Sequence, residues 1–559
     1  MKLYMSSLLF ICLMGCGEQA NKPQETSSID VSNAHTNSKQ SAPKTDFDTE
    51  QAKSNLVFIK DQYLKMIDVV DSNQQLKWAD TCLQIDSVCF PRALEHDQIY
   101  MEKLTKWTNG FYPGVFWKIL SVTDQIDGFS QEQQTKMFDK ATFYQAALLS
   151  ETKRGTTHDL GFLLYDSFGE ALHYANLPKD TRALYEQALQ TGRDTLATRY
   201  DPSYGLIKSW DWKPLSLINY EENGTVLANK VPVANPWEFP VIVDNMMNLE
   251  FMFESSEQAH RELAFSHAKQ TLKNHYFYTS DDTEQAFPIA YHVYEYGSQR
   301  PGNWQGLGNV SAWARGQGWS LYGFVNVIEA LKKQAPEMQV PDFERHVERL
   351  VDSVVYLLDG EAVPHWDYFA TQENAAVIAA DQSKDTYRFS RILDLCDFLI
   401  EDDILPYVGY SPITVDKEIY SESALAFMQG KKSAYGQALI QGDSVLPCGA
   451  SAYKNLGHKI PKDTSAAALY ASALYRLAIH TDKAELKQTV VQLADKIMAA
   501  LSQDYLTSKH KNKDYDLGFV LTEATGNLPN ASEINTSIVY ADFYFIEANI
   551  LKIQLSTTE

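Results

Sequence analysis

Phe138-Asp139-Lys140-Ala141-Thr142-Phe143-Tyr144-Gln145-Ala146-Ala147 sets Phe138, Ala141, Phe143, Ala146 and Ala147 at the apolar spacing of one helix face. Similar spacing recurs near residues 51–71, 131–150, 159–176, 181–198, 244–257, 260–275, 313–334, 342–358, 385–401, 464–479, 484–503 and 537–553. Helix follows helix, with no regular alternation of strand and helix. About a dozen helices in hairpin pairs predict an all-α fold that closes as a double ring, an (α/α) barrel, in preference to a small bundle. The connections are rich in Gly, Pro, Asn and aromatic residues. Two stretches, 203–239 and 371–460, read as insertions, and long loops in a compact domain usually serve a site or move.

The start of the chain is a different kind of sequence. Lys2 precedes a short apolar run (Leu8, Leu9, Phe10, Ile11, Leu13) that is too short to span a membrane and reads as an export signal. It ends in Leu13-Met14-Gly15-Cys16, which resembles the bacterial lipobox. The expectation is a lipoprotein acylated at Cys16, and Gly17 in place of Asp favours the outer membrane; an ordinary secretory peptide with an incidental Cys is the alternative. Residues 17–50 are Ser, Thr, Asn, Gln and Lys with few large apolar side chains, so they are expected to be a flexible tether. The folded domain is then expected over 51–559. Of six cysteines, Cys12 leaves with the signal and Cys16 is the lipid site. Cys82 and Cys89 are close enough in sequence to pair in an oxidising compartment, while Cys396 and Cys448 read as buried or incidental thiols.

The composition narrows the function. A formal net charge of −23 argues against nucleic acid, and it requires a local cationic pocket for any anionic substrate. Tyr (31) and Trp (10) are abundant, as expected where apolar sugar faces are stacked.

Two aspartates stand in unusual settings: Asp159 in His158-Asp159-Leu160-Gly161-Phe162, and Asp244 in Val241-Ile242-Val243-Asp244-Asn245-Met246-Met247-Asn248-Leu249. A carboxylate framed by apolar side chains resists ionising, and two close together cannot both ionise easily, which is how enzymes keep a general acid near neutral pH. Helix capping is the plain alternative for each. His292, in Ala290-Tyr291-His292-Val293-Tyr294-Glu295-Tyr296, sits in an aromatic strand-like stretch. Gln305 precedes Trp313-Ala314-Arg315-Gly316-Gln317-Gly318-Trp319, where Arg315 either binds an anion or closes a buried ion pair. Lys106-Trp107-Thr108-Asn109-Gly110-Phe111-Tyr112-Pro113-Gly114 is a loop-to-helix entry that offers either a sugar platform or a packed helix start.

Together these motifs resemble glycoside hydrolase family 88, the unsaturated glucuronyl hydrolases. The resemblance rests on Trp107-Thr108-Asn109-Gly110-Phe111, the Asp159 and Asp244 segments, Ser311-Ala312-Trp313-Ala314-Arg315-Gly316-Gln317-Gly318-Trp319, Val363-Pro364-His365-Trp366-Asp367, Asp463-Thr464-Ser465-Ala466-Ala467-Ala468 and Ser532-Glu533, in family order over about residues 55–555. It implies an (α/α)6 barrel that hydrates the C4=C5 double bond left in a uronate by polysaccharide lyases. The residue matching Asp244 would protonate C4 and then assist water at C5. The residue matching Asp159 would position ring hydroxyls and stabilise oxocarbenium-like charge. By the same resemblance His292, Gln305, Arg315 and Trp319 belong to the substrate site, Tyr112 stacks on the sugar, and no metal or organic cofactor is implied. The chain departs from the family in its long insertions and in Thr525-Gly526-Asn527-Leu528-Pro529, which lacks the usual aromatic or His beside the Gly. Two other readings stay open, a glycan-capturing surface lipoprotein without catalysis and an unsaturated rhamnogalacturonyl hydrolase.

Overall fold

Local sequence starts each helix where a side chain can satisfy its free backbone N–H groups. Asp48 accepts from Gln51 N to open α1 (Thr49–Ser72), which stops where Asn73 turns left-handed at φ 53°. Ser130 and Gln133 form a reciprocal capping box on α3 (Gln131–Leu148), which follows α2 (Phe111–Ser121). A nine-residue π-helix, Gly161–Gly169, runs directly into α4 (Glu170–His173), and α5 spans Lys179–Ala197. A 3-10 turn, Val243–Met247, leads into α6 (Asn248–Phe253). Next come α7 (Gln258–Asn274), α8 (Ala314–Gln334), α9 (Pro341–Leu358), α10 (Thr464–His480), α11 (Ala484–Asp504) and α12 (Val539–Thr558).

The structure is a computed structural model that describes residues 47–558, apart from 80–81, 83–87, 96, 212–220, 223–224, 227–237, 280–285, 298, 303–304, 307–310, 335–340, 369–460, 511–515 and 528–532. The expected signal, Cys16, most of the tether, the whole 371–460 insertion with its 385–401 helix, Cys396 and Cys448 lie outside the described residues, as does most of 203–239. The described residues belong to one compact unit, Thr45–Glu559.

Helices alternate between two layers. The inner ring runs α2, π-helix with α4, α6, α8, α10 and α12, each packed on the next, and α12 returns to α2 to close it. The outer layer is α1, α3, α5, α7, α9 and α11. This is the (α/α)6 barrel. Ring closure needs small residues at the crossings: a Cβ on Gly114 of α2 would lie 2.0 Å from Asp166 O of the π-helix. Inner helices are apolar on nearly all sides, and α2 from Phe111 to Leu120 is buried throughout. Outer helices keep a polar face. Phe143 of α3 is on that face, 55% exposed, while Met137, Ala141, Tyr144 and Leu148 make the buried side. The helix is as the apolar spacing predicts, but its face is rotated.

Short strands sit on the helical frame. β1 (Leu76–Trp78), β2 (Phe90–Glu95) and β3 (Gln98–Glu102) form one sheet, with Cys82 and Cys89 disulfide-bonded between β1 and β2. β4 (Tyr200–Asp201) pairs with β5 (Leu206–Ile207), and β6 (Glu221–Glu222) with β7 (Thr225–Val226). β9 (Tyr276–Tyr278) pairs with β10 (Pro288–Ala290). β8 (Pro240–Ile242), β11 (Val293–Glu295) and β12 (Arg300–Gly302) form a sheet with β11 in the middle, so the strand-like reading around His292 holds.

Candidate active site

The starts of the inner helices meet at one end of the barrel. Trp107, just before α2, packs on Tyr540 of α12 at 5.1 Å and on Phe162 of the π-helix at 5.2 Å. Arg315 of α8 reaches Asp463, the N-cap of α10. Helix N-termini gathered at one mouth favour negative charge there.

Backbone pairing carries the two aspartates, 85 positions apart, to this mouth. Thr157 bridges Trp210, and His158 N donates to Ser209 O. Ser209 N donates to Pro240 O, and its hydroxyl accepts from Ile242 N. Pairing of β8 with β11 sets Val293 opposite Ile242, and Val243 N donates to His292 O at 2.9 Å. Asp244 therefore emerges beside His292. A second clasp joins the helices themselves: Gly161 N donates to Asn248 Oδ1 at 2.8 Å, Asn248 Nδ2 to Asn245 Oδ1, and Asn245 Nδ2 to Ile207 O. A Cβ at Gly161 would lie 2.5 Å from that Asn248 oxygen, so only glycine permits the approach.

Imidazoles stand beside both carboxylates. His158 Nε2 lies 3.3 Å from Asp159 Oδ1, and Thr157 Oγ1 donates to Asp159 Oδ2 at 2.6 Å. Burial pushes the His158 imidazole below its ordinary value, while Asp159 and Asp244 both pull it back up, so one ring feels both carboxylates. Asp244 Oδ2 lies 3.3 Å from His292 Nδ1, and the side chains are 7% and 3% exposed. His292 Nε2 bonds Gln305 Oε1, and the ring meets Trp313 edge-on at 4.4 Å. The Asp159 side chain is 21% exposed and is the more open of the two.

Three of the expected substrate contacts are elsewhere. Tyr112 is fully buried in the wall, enclosed by Tyr63, Phe116 and Tyr144, and has no face for a sugar. Trp319 is fully buried between Phe162 and Tyr544. Arg315 is 1% exposed and paired: it donates to Asp463 at 2.9 Å, Ser465 Oγ at 3.0 Å, Thr525 O and Gly526 O, between the rings of Trp313 and Tyr540, with its Nε left without a partner among the described residues. Its ion-pair reading is the correct one. Asp159, Asp244, His292 and Gln305 are brought together. His158, Asn245 and Asn248 join them from within the quoted motifs, and Trp210, edge-on to His158, joins from the 203–239 stretch. Among the described residues, Asp194, Glu257 and His260 lie close enough to share a metal ion, but they are outside the ring, on α5 and at the start of α7, and already bond Gln190 and Ser255.

A closed (α/α)6 ring with two carboxylates beside imidazoles at its mouth defines a barrel glycoside hydrolase. The profile of Glycosyl Hydrolase Family 88 matches residues 92–366. The chain is 26% identical to an unsaturated glucuronyl hydrolase of Formosa agariphila, over 82% of this chain and 83% of that one. It is 23% identical to an unsaturated chondroitin disaccharide hydrolase of Streptococcus pyogenes, over 56% of this chain and 69% of that one. Among solved structures, the fold matches an unsaturated glucuronyl hydrolase specific for heparin with a TM-score of 0.57 at 22% identity, over 91% of this chain and 98% of that one. It also matches the unsaturated glucuronyl hydrolase of Bacillus sp. GL1 with a TM-score of 0.55 at 16% identity, over 90% and 96%. Over residues 92–366 the chain matches glycoside hydrolase family 88, and it is a glycoside hydrolase.

Proposed function

We propose that this glycoside hydrolase removes unsaturated uronyl residues from lyase-generated oligosaccharides by hydrating their C4=C5 bond. The names of the relatives, unsaturated glucuronyl and chondroitin disaccharide hydrolase, support an unsaturated uronyl substrate of glycosaminoglycan type, with ulvan-type oligosaccharides as the other candidate. One observation carries the mechanism: Asp244 and Asp159 are held by imidazoles rather than by fixed cations, so neither carboxylate is committed to an ion pair with Lys or Arg among the described residues.

Asp244, as the acid, delivers its proton to C4. The π electrons of C4=C5 form the new C–H bond, and the cation at C5 is shared with the ring oxygen. Asp244, now a carboxylate, takes a proton from the water that attacks C5. This yields a hemiketal and restores the acid, and the hemiketal opens and releases the aglycone. His292, fixed by Gln305, holds Asp244 in register, and Asp159 orients the ring hydroxyls and faces the developing positive charge. The test is loss of the ultraviolet absorbance of the conjugated uronate on a panel of lyase-made disaccharides. Loss on any member supports the reading and ranks the polymers. A folded protein without effect on the whole panel would return the glycan-binding alternative.

We also propose that the chain works at the cell envelope, anchored through a lipid on Cys16. The lipobox-like sequence and the polar stretch after it support this. Fatty-acid labelling of cells that express the protein, lost in Cys16→Ser, is the expected result; unlabelled protein would reverse it.

A further inference from the structure

An anionic sugar must be drawn into a protein of net charge −23, so the cations at the mouth matter. Most are already committed. Arg315 is neutralised by its buried ion pair with Asp463. Arg92 is 13% exposed and donates to Glu533 at 2.6 Å and Glu102 at 3.0 Å. Arg199 is paired with Asp211. Arg154 donates to Thr105 O and lies 2.7 Å from Glu151.

Lys106 differs. It is the N-cap of the turn Trp107–Gly110, next to the tryptophan that packs on Phe162, three residues beyond Asp159. Its side chain is 41% exposed, and its one ion-pair partner among the described residues is Glu102, at 3.7 Å. That carboxylate is already closer to Arg92 and also accepts from Lys103 N. Arg92, Lys103 and Lys106 thus crowd two acids, Glu102 and Glu533, and leave one positive charge in surplus. Burial, offset by Glu102 and reinforced by Arg92 and Lys103, holds the Lys106 ammonium below its ordinary value. A cation in that position gains from an incoming anion. The loop that carries it is pinned: Asn109 Nδ2 donates to Lys103 O and Leu104 O, and Arg154, on the strand of chain leading to Asp159, holds Thr105 O.

We propose that Lys106 sets specificity by binding an anionic group of the sugar, the uronate carboxylate or a sulfate ester. The inference rests on the uronyl hydrolase reading and names the residue that selects its substrates. It is a surface ammonium, so its contribution is screened by salt.

The experiment compares wild type, Lys106→Gln and Lys106→Arg on unsaturated disaccharides with and without sulfate, by absorbance, at low and high salt. Lys106→Gln is expected to raise KM about tenfold with kcat nearly unchanged, in line with loss of one hydrogen bond to a charged group. The salt dependence of KM should flatten, and Lys106→Arg should restore most of both. A rise on every disaccharide assigns the carboxylate; a rise confined to sulfated ones assigns the sulfate. An unchanged KM in a folded Lys106→Gln protein, with wild type active, overturns the proposal alone. A wild type inactive on the whole panel overturns the functional reading, and this proposal with it.

Discussion

The two ends of the barrel both hold buried carboxylates, but they treat them differently. At the end opposite the mouth, a cavity of about 300 Å³ is lined by Lys118, Glu170, Glu250, Arg476 and Glu547, among others. There Lys118 sits between Glu170 at 2.8 Å and Glu547 at 2.7 Å, and Arg476 between Glu250 and Glu329. Lys118 and His173 hold Glu170 near 2 although burial alone would raise it. At the mouth, Asp159 and Asp244 have imidazoles at 3.3 Å in place of fixed cations. A carboxylate held between cations, as Glu170 is, braces the ring and stays ionised, whereas Glu250, which shares Arg476 with Glu329, is braced but not held ionised. A carboxylate beside an imidazole can change protonation within a catalytic cycle.

The contrast is open to mutation. Asp244→Asn at the mouth should lower kcat by roughly 10²–10⁴-fold or more, because an amide cannot donate the proton, while thermal unfolding stays close to wild type. Asp159→Asn should also cripple turnover yet retain binding of the disaccharide. Near-normal rates in Asp244→Asn would abolish the distinction between the two ends. Arg315→Met should act in the opposite sense: it leaves Asp463 buried without its partner, and stability should fall by about 3–5 kcal/mol in denaturant titration. A stable Arg315→Met protein with raised KM would return Arg315 to the substrate site.

The smallest expected effect is at the far end. Burial, opposed by Arg476 and helped by Glu329, pushes Glu250 up to about 7 from an ordinary 4.5. The folded state then binds a proton more tightly than the unfolded state, so Glu250 favours folding below about pH 4.5, and that contribution is lost as pH rises toward 7. Glu250→Gln should flatten the stability profile between those limits, measured as the midpoint of unfolding against pH. An unchanged slope would mean that the ion pair with Arg476 is maintained across the window.

Much of this was legible in the sequence, for physical reasons. Outer helices repeat apolar residues because they have a wet face, so their spacing marks them. α2 has no wet face. Its Trp, Tyr, Phe and Gly run looks like a loop until the ring shows that Gly114 exists for a backbone crossing. Asp159 and Asp244 stood out because a carboxylate in an apolar frame has few structural uses. Tyr112 and Trp319 misled because an aromatic side chain reads the same as a platform and as core, and Arg315 because its partner Asp463 is 148 positions away. Lys106 was passed over as the first letter of an aromatic motif: its isolation depends on Arg92 and Glu533, which no local window contains.

The π-helix leaves a mark on how this enzyme can change by insertion and deletion. Its i→i+5 bonding holds more residues per turn than α geometry. Loss of one codon within Gly161–Gly169, with the π geometry kept, would rotate the preceding chain by one residue's share of a turn, roughly 80–100°. Asp159 would then turn away from Asp244 while the ring kept its core. Such a one-residue deletion should still fold by circular dichroism and fail in the absorbance assay, a descendant with the barrel of a hydrolase and the trade of a binding protein.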